Sequence, residues 1–202
     1  MVRPRQFTDE QILESARKSL LEHGPAVSTS AIAKAVGMSQ AALFKRFGSK
    51  EELLIAALMP PRIPEWIGML IDGPDERDLR EQLLEIARAI QEFFENHGPA
   101  MAILRASKIS EQQVFERFDG PPPPVVSRRA MAEWFRRARD AGRIRDIDPD
   151  SVTLMLLGSL IARMFFNHIF GERFSPASDV SSGPDYVATV VESLWRGIAP
   201  EP

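Results

Sequence analysis

Apolar residues in the first sixty positions recur at spacings of three and four in short runs divided by glycine and serine, which predicts a set of packed helices. The first run spans about Thr8 to His23, with Thr8 and Gln11 as a capping box, Ile12, Ala16, Leu20 and Leu21 as its apolar stripe, and Gly24 closing it. In Thr29 to Val36 the residues Ile32, Ala33 and Val36 share one face, and Ala33 is small enough for a second helix to cross closely over it. Gly37 stops that helix, and Met38 and Ser39 complete a three-residue turn. A second short helix begins near Gln40 with Leu43 and Phe47 inward, so that Gln40, Ala41, Ala42, Phe44, Lys45 and Arg46 face outward or flank the packed side. Ser49 followed by Glu52 reads as another capping box, which puts Lys50 in the first turn of a further helix, beside an N-terminus that itself attracts phosphate.

Two short helices joined by such a turn, the second with an exposed polar and basic face, form a helix-turn-helix able to enter a major groove. A plain helical hairpin shares the small-residue crossing and the glycine turn. The conjunction of Ala33, Gly37, Leu43, Phe47 and the Ser49 cap with a preceding helix of the right length favours DNA reading. The terminal MVRPRQF segment carries Arg3 and Arg5. It reads equally as a basic arm along phosphates or the minor groove and as a solvated terminus.

Beyond residue 58 the chain is again helical, with no sustained period-two pattern, so the expected class is all-α: a three-helix helix-turn-helix domain at 1–58 and a larger helical domain at 59–202. Pro60, Pro61 and Pro64 predict a jointed connection, followed by a short helical piece to Ile71 and the turn DGPDE. Asp78 to His97 is an amphipathic helix with Leu79, Leu83, Ile86, Ile90 and Phe93 or Phe94 inward, expected to end at Gly98-Pro99. Shorter helices are expected at Ala100–Ile109 and Glu111–Phe118, then a stiff proline loop at Pro121–Pro124. Val125–Ala141 carries Arg128, Arg129, Arg136, Arg137 and Arg139, but Glu133 and Asp140 are interleaved and Met131, Trp134 and Phe135 point inward, so it reads as a solvated face and not a nucleic-acid patch.

Asp148-Pro149 is an N-cap with proline at the first helical position, which starts a helix running to Phe170. Its Ser151–Phe170 portion has the length of a membrane span. Arg163, Asn167 and His168 lie within it, however, and a central arginine costs at least about 2.5 to 3.5 kcal/mol, so a buried helix is expected and no membrane. Gly158 and Ala162 stand one turn apart, with Met155, Ile161, Phe165 and Ile169 around them. A final helix from about Pro184 to Ile198 adds Tyr186, Val190, Val191, Leu194 and Trp195. These last two helices are expected to pair two copies of the chain through a four-helix interface.

Composition refines the picture. The net charge of -3 argues against a general nucleic-acid coat protein, yet residues 1–58 hold eight Lys plus Arg against six Asp plus Glu, or +2, leaving 17 against 22, or -5, in the remainder. At 202 residues, 44% hydrophobic and 26% charged, the chain is that of a folded protein, and the absence of cysteine excludes disulfides and thiolate chemistry. No apolar run follows the basic N-terminus, so a cytoplasmic location is expected. There is no nucleophile elbow, phosphate-binding glycine loop, zinc motif or dinucleotide fingerprint, and His23, His97 and His168 have no metal-ligand spacing. Neither enzyme activity, cofactor nor metal is expected.

The helix ending in LLEHG, the Ser28-Thr29 start, AIAKAVGMS, ALFKRF and SKEELL together make the first 58 residues resemble the DNA-binding domain of the TetR family of bacterial transcriptional regulators. The resemblance implies that Thr29, Gln40, Ala41, Phe44, Lys45, Arg46 and Lys50 stand where such proteins touch double-stranded DNA, read as a near-palindromic operator by a homodimer. Ala41 replaces a frequent glycine. Phe44 replaces a usual tyrosine, whose lost hydroxyl contact is worth about 0.5 to 1.5 kcal/mol. The resemblance also implies an inducer cavity among the central helices, for which Phe93, Phe94, His97, Met101, Leu104, Arg105, Trp134, Met155 and Met164 are candidates, with His97 and Arg105 best suited to orient a ligand. The expected function is a repressor released by a small apolar or amphipathic ligand. The alternatives are a DNA binder acting without inducer, as an activator or chromosome organiser, and an all-α ligand-binding protein or enzyme whose helix-turn-helix serves only packing.

Overall fold

The capping signals in the sequence become hydrogen bonds in the structure, a computed structural model that describes residues 7–60, 63–107, 109–118, 120–170 and 185–200. All regular elements among these residues are helical. Helix α1 (Asp9–His23) opens on a complete capping box, Thr8 Oγ1 accepting from the Gln11 amide at 3.3 Å and Gln11 Oε1 from the Thr8 amide at 3.1 Å. Ile12, Ala16 and Leu20 are fully buried. Leu21, expected in the same stripe, is 42% exposed, because one further residue rotates the side chain by about 100° away from it. Helix α2 (Thr29–Ala35) ends in a Schellman motif, the Met38 amide donating to Ala33 O at 2.9 Å and the Gly37 amide to Lys34 O at 3.1 Å. Gly37 takes the positive φ of 69° that this turn requires.

Helix α3 (Gln40–Phe47) is capped by Ser39 and α4 (Lys50–Leu58) by Ser49. The second half of the box expected at Ser49 gives way to other partners: the Ser49 amide donates to Phe47 O at 3.2 Å, and the Glu52 carboxylate pairs with Arg117. The chain then continues through Met59 in extended conformation and reaches a short 3-10 helix, Glu65–Leu70.

Contacts divide the chain into two compact units, one of Met1–Pro60 with His97–Asp119 and the other of Pro61–Asn96 with Gly120–Pro202. In the first, α1 to α4 close on Ile12, Leu20, Ile32, Leu43, Leu53 and Leu58, joined by Ala100 and Leu104. Those two residues belong to α5 (Leu79–Ala106), which runs through Pro99 instead of stopping at Gly98. A proline inside a helix costs on the order of 3 kcal/mol, but Gly98 has no Cβ to crowd the ring, and Ala100 and Leu104 regain burial beyond it. Helix α6 is shorter than expected, Glu111–Phe115, with Ser110 and Gln113 forming its capping box.

In the second unit α7 (Pro123–Asp140) absorbs half of the proline run into its first turn, where a missing amide hydrogen costs nothing. Four of its arginines are engaged: Arg128 with Asp150, Arg136 and Arg137 with Glu133, and Arg139 with Asp140. Leu83, Ile86 and Ile90 of α5, Met131, Trp134 and Phe135 of α7, Leu156 and Leu160 of α8 (Pro149–Phe170), and Val187 and Val191 of α9 (Tyr186–Ile198) build its core. In the single chain one side of α8 packs on this core, while Leu154, Met155, Phe165 and Phe166 are 58, 62, 49 and 39% exposed, Met155 and Phe165 among the residues expected to pair two copies. Among the described residues no helix is long and apolar enough to cross a membrane.

Asp185 caps α9 and pairs with Arg88. The Arg88 hydrogen bond, followed by the Ala188 amide, holds its carboxyl below the ordinary value of 3.8. A depressed folded-state pKa stabilises above the ordinary carboxylate range and is lost as pH falls through it. Asp185→Asn keeps a good cap but removes the charge, so its melting temperature should depend less on pH below about 4 than that of the parent chain. Parallel curves in that range would show that the pair contributes nothing.

Candidate nucleic-acid interface

Leu43 is fully buried and Phe47 half-buried, which leaves the opposite side of α3 to solvent. Gln40, Ala41, Ala42, Lys45 and Arg46 are exposed there and Phe44 is half-buried at the edge. The face therefore carries an amide, two methyls, an aromatic ring and two cations within about two helical turns, the chemistry of base edges, thymine methyls and phosphates.

Several of these groups already have protein partners. Gln40 Nε2 donates to Thr29 Oγ1 at 2.7 Å, and Thr29 itself is only 8% exposed. Arg46 Nη1 donates to Phe7 O at 2.7 Å and the guanidinium pairs with Asp9, which ties the end of α3 to the start of α1. The Phe7 ring itself packs against the core of the first unit. Arg3 and Arg5 lie outside the described residues. Lys50 is half-buried and its Nζ donates to Pro25 O at 3.2 Å. The first turn of α4 also holds an anion of its own, because backbone and Ser49 hydrogen bonds keep the Glu51 carboxyl below its ordinary value. Among the described residues Lys45 is thus the α3 cation without a protein partner, while Arg46 and Lys50 reach phosphate only by leaving or sharing a carbonyl or carboxylate.

The Thr29–Gln40 bond and the anchoring of Arg46 are absent from the sequence reading because each joins residues distant in sequence. The one available signal was a threonine and a glutamine, each opening one helix of the motif.

The candidate ligand residues fall in both units. Phe93 and Phe94 are half-buried with rings edge to face at 5.6 Å, Trp134 is 1% exposed against Phe135 at 5.4 Å, and Met155 is exposed on α8. His97 and Met101 are half-buried, Leu104 buried and Arg105 exposed, all within the first unit. The Met164 side chain lies outside the described residues. Four buried side-chain atoms of the second unit's described residues have no hydrogen-bond partner: Trp66 Nε1, Gln91 Oε1, Trp134 Nε1 and Thr153 Oγ1.

Arg46→Ala should lower the melting temperature by a few degrees, since a half-exposed ion pair and one hydrogen bond together contribute about 1 kcal/mol. It should leave the salt dependence of duplex binding unchanged. A slope smaller by about 0.9 would show that the guanidinium leaves Asp9 for a phosphate.

Two family models match the chain. Residues 12–57 match the bacterial regulatory proteins of the tetR family, and residues 73–173 the tetracyclin repressor-like C-terminal domain. No curated protein matches at the level of sequence. Among solved structures, SmeT, the repressor of the Stenotrophomonas maltophilia multidrug efflux pump SmeDEF, is 20% identical with a TM-score of 0.66 over 97% of this chain and 92% of that one. The TetR-family regulator PfmR of Thermus thermophilus is 23% identical with a TM-score of 0.61 over 91% and 93%. A Rhodococcus protein of unknown function is 20% identical with a TM-score of 0.68 over 98% and 100%. At these identities the solved structures establish the fold, and the two family models, spanning most of the chain, establish the lineage. The chain belongs to the TetR family and is a DNA-binding transcriptional regulator.

Proposed function

We propose that the protein is a dimeric repressor that leaves a near-palindromic operator when a small apolar or amphipathic molecule enters its helical body. Residues 1–58 read the DNA in this account: Gln40 meets a base edge, Ala41 and the Phe44 ring pack against sugar or a thymine methyl, and Lys45 and Lys50 supply phosphate contacts. The second unit assembles the dimer and receives the ligand.

Support for assembly comes from the outer side of α8. Leu154, Met155, Phe165 and Phe166 leave apolar area in water, continuous with a groove lined by Met155, Leu156, Ser159, Val190 and Leu194 along α9. Tyr186 Oη donates to Ser159 O at 2.7 Å and so fixes α9 against α8, which makes the pair one rigid face. A second copy presenting the same face by two-fold symmetry covers it, and the repeated half-sites of a near-palindrome follow from that symmetry.

The observation that carries ligand release is the set of unpartnered polar atoms in the second core. Buried donors and acceptors without partners are costly, and the core of the second unit holds four: Trp66 Nε1 and Trp134 Nε1 as N–H donors, Gln91 Oε1 as a carbonyl acceptor and the Thr153 hydroxyl. An amphipathic molecule with a few polar groups fits that chemistry. Helix α5 supplies Leu83, Ile86 and Ile90 to this core and Ala100 and Leu104 to the other, so one continuous element carries side chains of both. That SmeT is the repressor of a multidrug efflux pump supports repression on this fold.

Gly158 provides the test of assembly. A Cβ there meets nothing within 4 Å and the residue is exposed, so Gly158→Leu leaves the isolated fold intact and raises helix propensity by about 1 kcal/mol. At the closest approach of paired helices the same side chain should weaken the dimer in sedimentation while the protein remains helical. An undiminished dimer would move the interface elsewhere. For release, hydrophobic metabolites and drugs are titrated against the protein with and without the duplex it selects. A ligand that loosens DNA must bind the DNA-bound protein less well by the same factor, about 5- to 150-fold for ordinary couplings. Binders that leave DNA affinity unchanged would favour a regulator working without inducer.

A further inference from the structure

We propose that Thr29 sets base specificity without touching the base pair, its buried hydroxyl holding the Gln40 amide in the orientation that reads adenine. The inference rests on the proposed role of α3 as the DNA-reading helix.

Thr29 opens α2 and Gln40 opens α3, eleven residues apart across the turn, and the 2.7 Å bond between their side chains joins a buried residue to an exposed one. Thr29 is β-branched and 8% exposed, so its hydroxyl occupies a fixed position. An unrestrained glutamine at the start of an exposed helix samples many rotamers and presents its amide either way round. A glutamine amide carries two N–H donors and one carbonyl acceptor. With one N–H committed to Thr29 Oγ1, the atoms left for the groove are one N–H and Oε1, a donor beside an acceptor. That edge complements adenine, whose N7 accepts and whose N6 donates. Were the amide reversed, with Oε1 on the hydroxyl, two N–H donors would face outward and would suit guanine N7 and O6 instead. A threonine hydroxyl can accept or donate; the structure has it accepting from Nε2, and that direction is the premise whose reversal would switch the reading from adenine to guanine. Because the rotamer is set before DNA arrives, less of its freedom remains to be lost on binding.

The probe is the duplex that the wild-type chain enriches from a random-sequence pool, together with versions carrying each other base at every half-site position. Dissociation constants are measured for the wild type, Thr29→Val, Thr29→Ser, Gln40→Ala and the Thr29→Val/Gln40→Ala double variant, with melting curves for each. Thr29→Val keeps the shape and removes the hydroxyl. Thr29→Ala also removes the hydroxyl, with the γ-methyl, at a position where alanine suits a helix, should valine disturb folding.

The wild type should prefer adenine about tenfold or more at one position per half-site. Thr29→Val should lose most of that preference at that position alone, with an unchanged salt slope, and Thr29→Ser should retain it. The double variant should match Gln40→Ala, because the hydroxyl acts only through the amide. Three results would overturn the proposal while leaving DNA reading by α3 intact: full adenine preference in Thr29→Val, a preference for guanine at that position, or a uniform loss across all bases with a smaller salt slope, which marks a phosphate contact. Failure of the wild type to enrich any sequence would remove both this inference and the reading beneath it.

Discussion

The outward face of α3, proposed to read DNA, depends on the burial of Leu43. Helix α3 has eight residues, too few to be stable alone in water, and it is held in place by what its inner side covers. Leu43 is fully buried among Ile12, Ile32, Ala33 and Leu53, side chains from α1, α2 and α4. A leucine so placed is worth about 2 to 5 kcal/mol, a substantial part of the 5 to 15 kcal/mol that keeps a typical domain folded. The outward residues inherit that rigidity. Three polar contacts refine it further, Thr29 bonding the first residue of α3, and Phe7 and Asp9 holding Arg46 near its end.

The second unit is built on the opposite logic, with its unresolved demands on the outside and in the core. On α7, Arg128, Arg136, Arg137 and Arg139 are paired with Glu133, Asp140 and Asp150. Its α8 leaves large apolar side chains in water, and its core leaves polar atoms unpaired. A second copy and a small molecule are the occupants proposed for these two features.

Local physics made the helix-turn-helix legible from sequence. Thr8 with Gln11, Ser28, Gly37 and Ser39 each act through hydrogen bonds or dihedral angles within a few residues, so their types announce the geometry. Pro99 was misread for the complementary reason: a proline breaks a helix locally, but burial of Ala100 and Leu104 in the core outweighs it, and that burial is set by residues far along the chain. The same distance hid the partner of Glu52, which is Arg117, and those of Arg46 and Gln40. The outward set on α3 could be listed from periodicity alone. Which members of it are free to meet DNA could not.

The central claim is that two copies of α3 read one duplex. Hydroxyl-radical footprinting of the duplex selected by the wild-type chain tests it directly. The account predicts two protected stretches of related sequence, about one helical turn or a multiple of it apart and related by two-fold symmetry. A single protected half-site at saturating protein, or uniform protection without sequence preference, would contradict it.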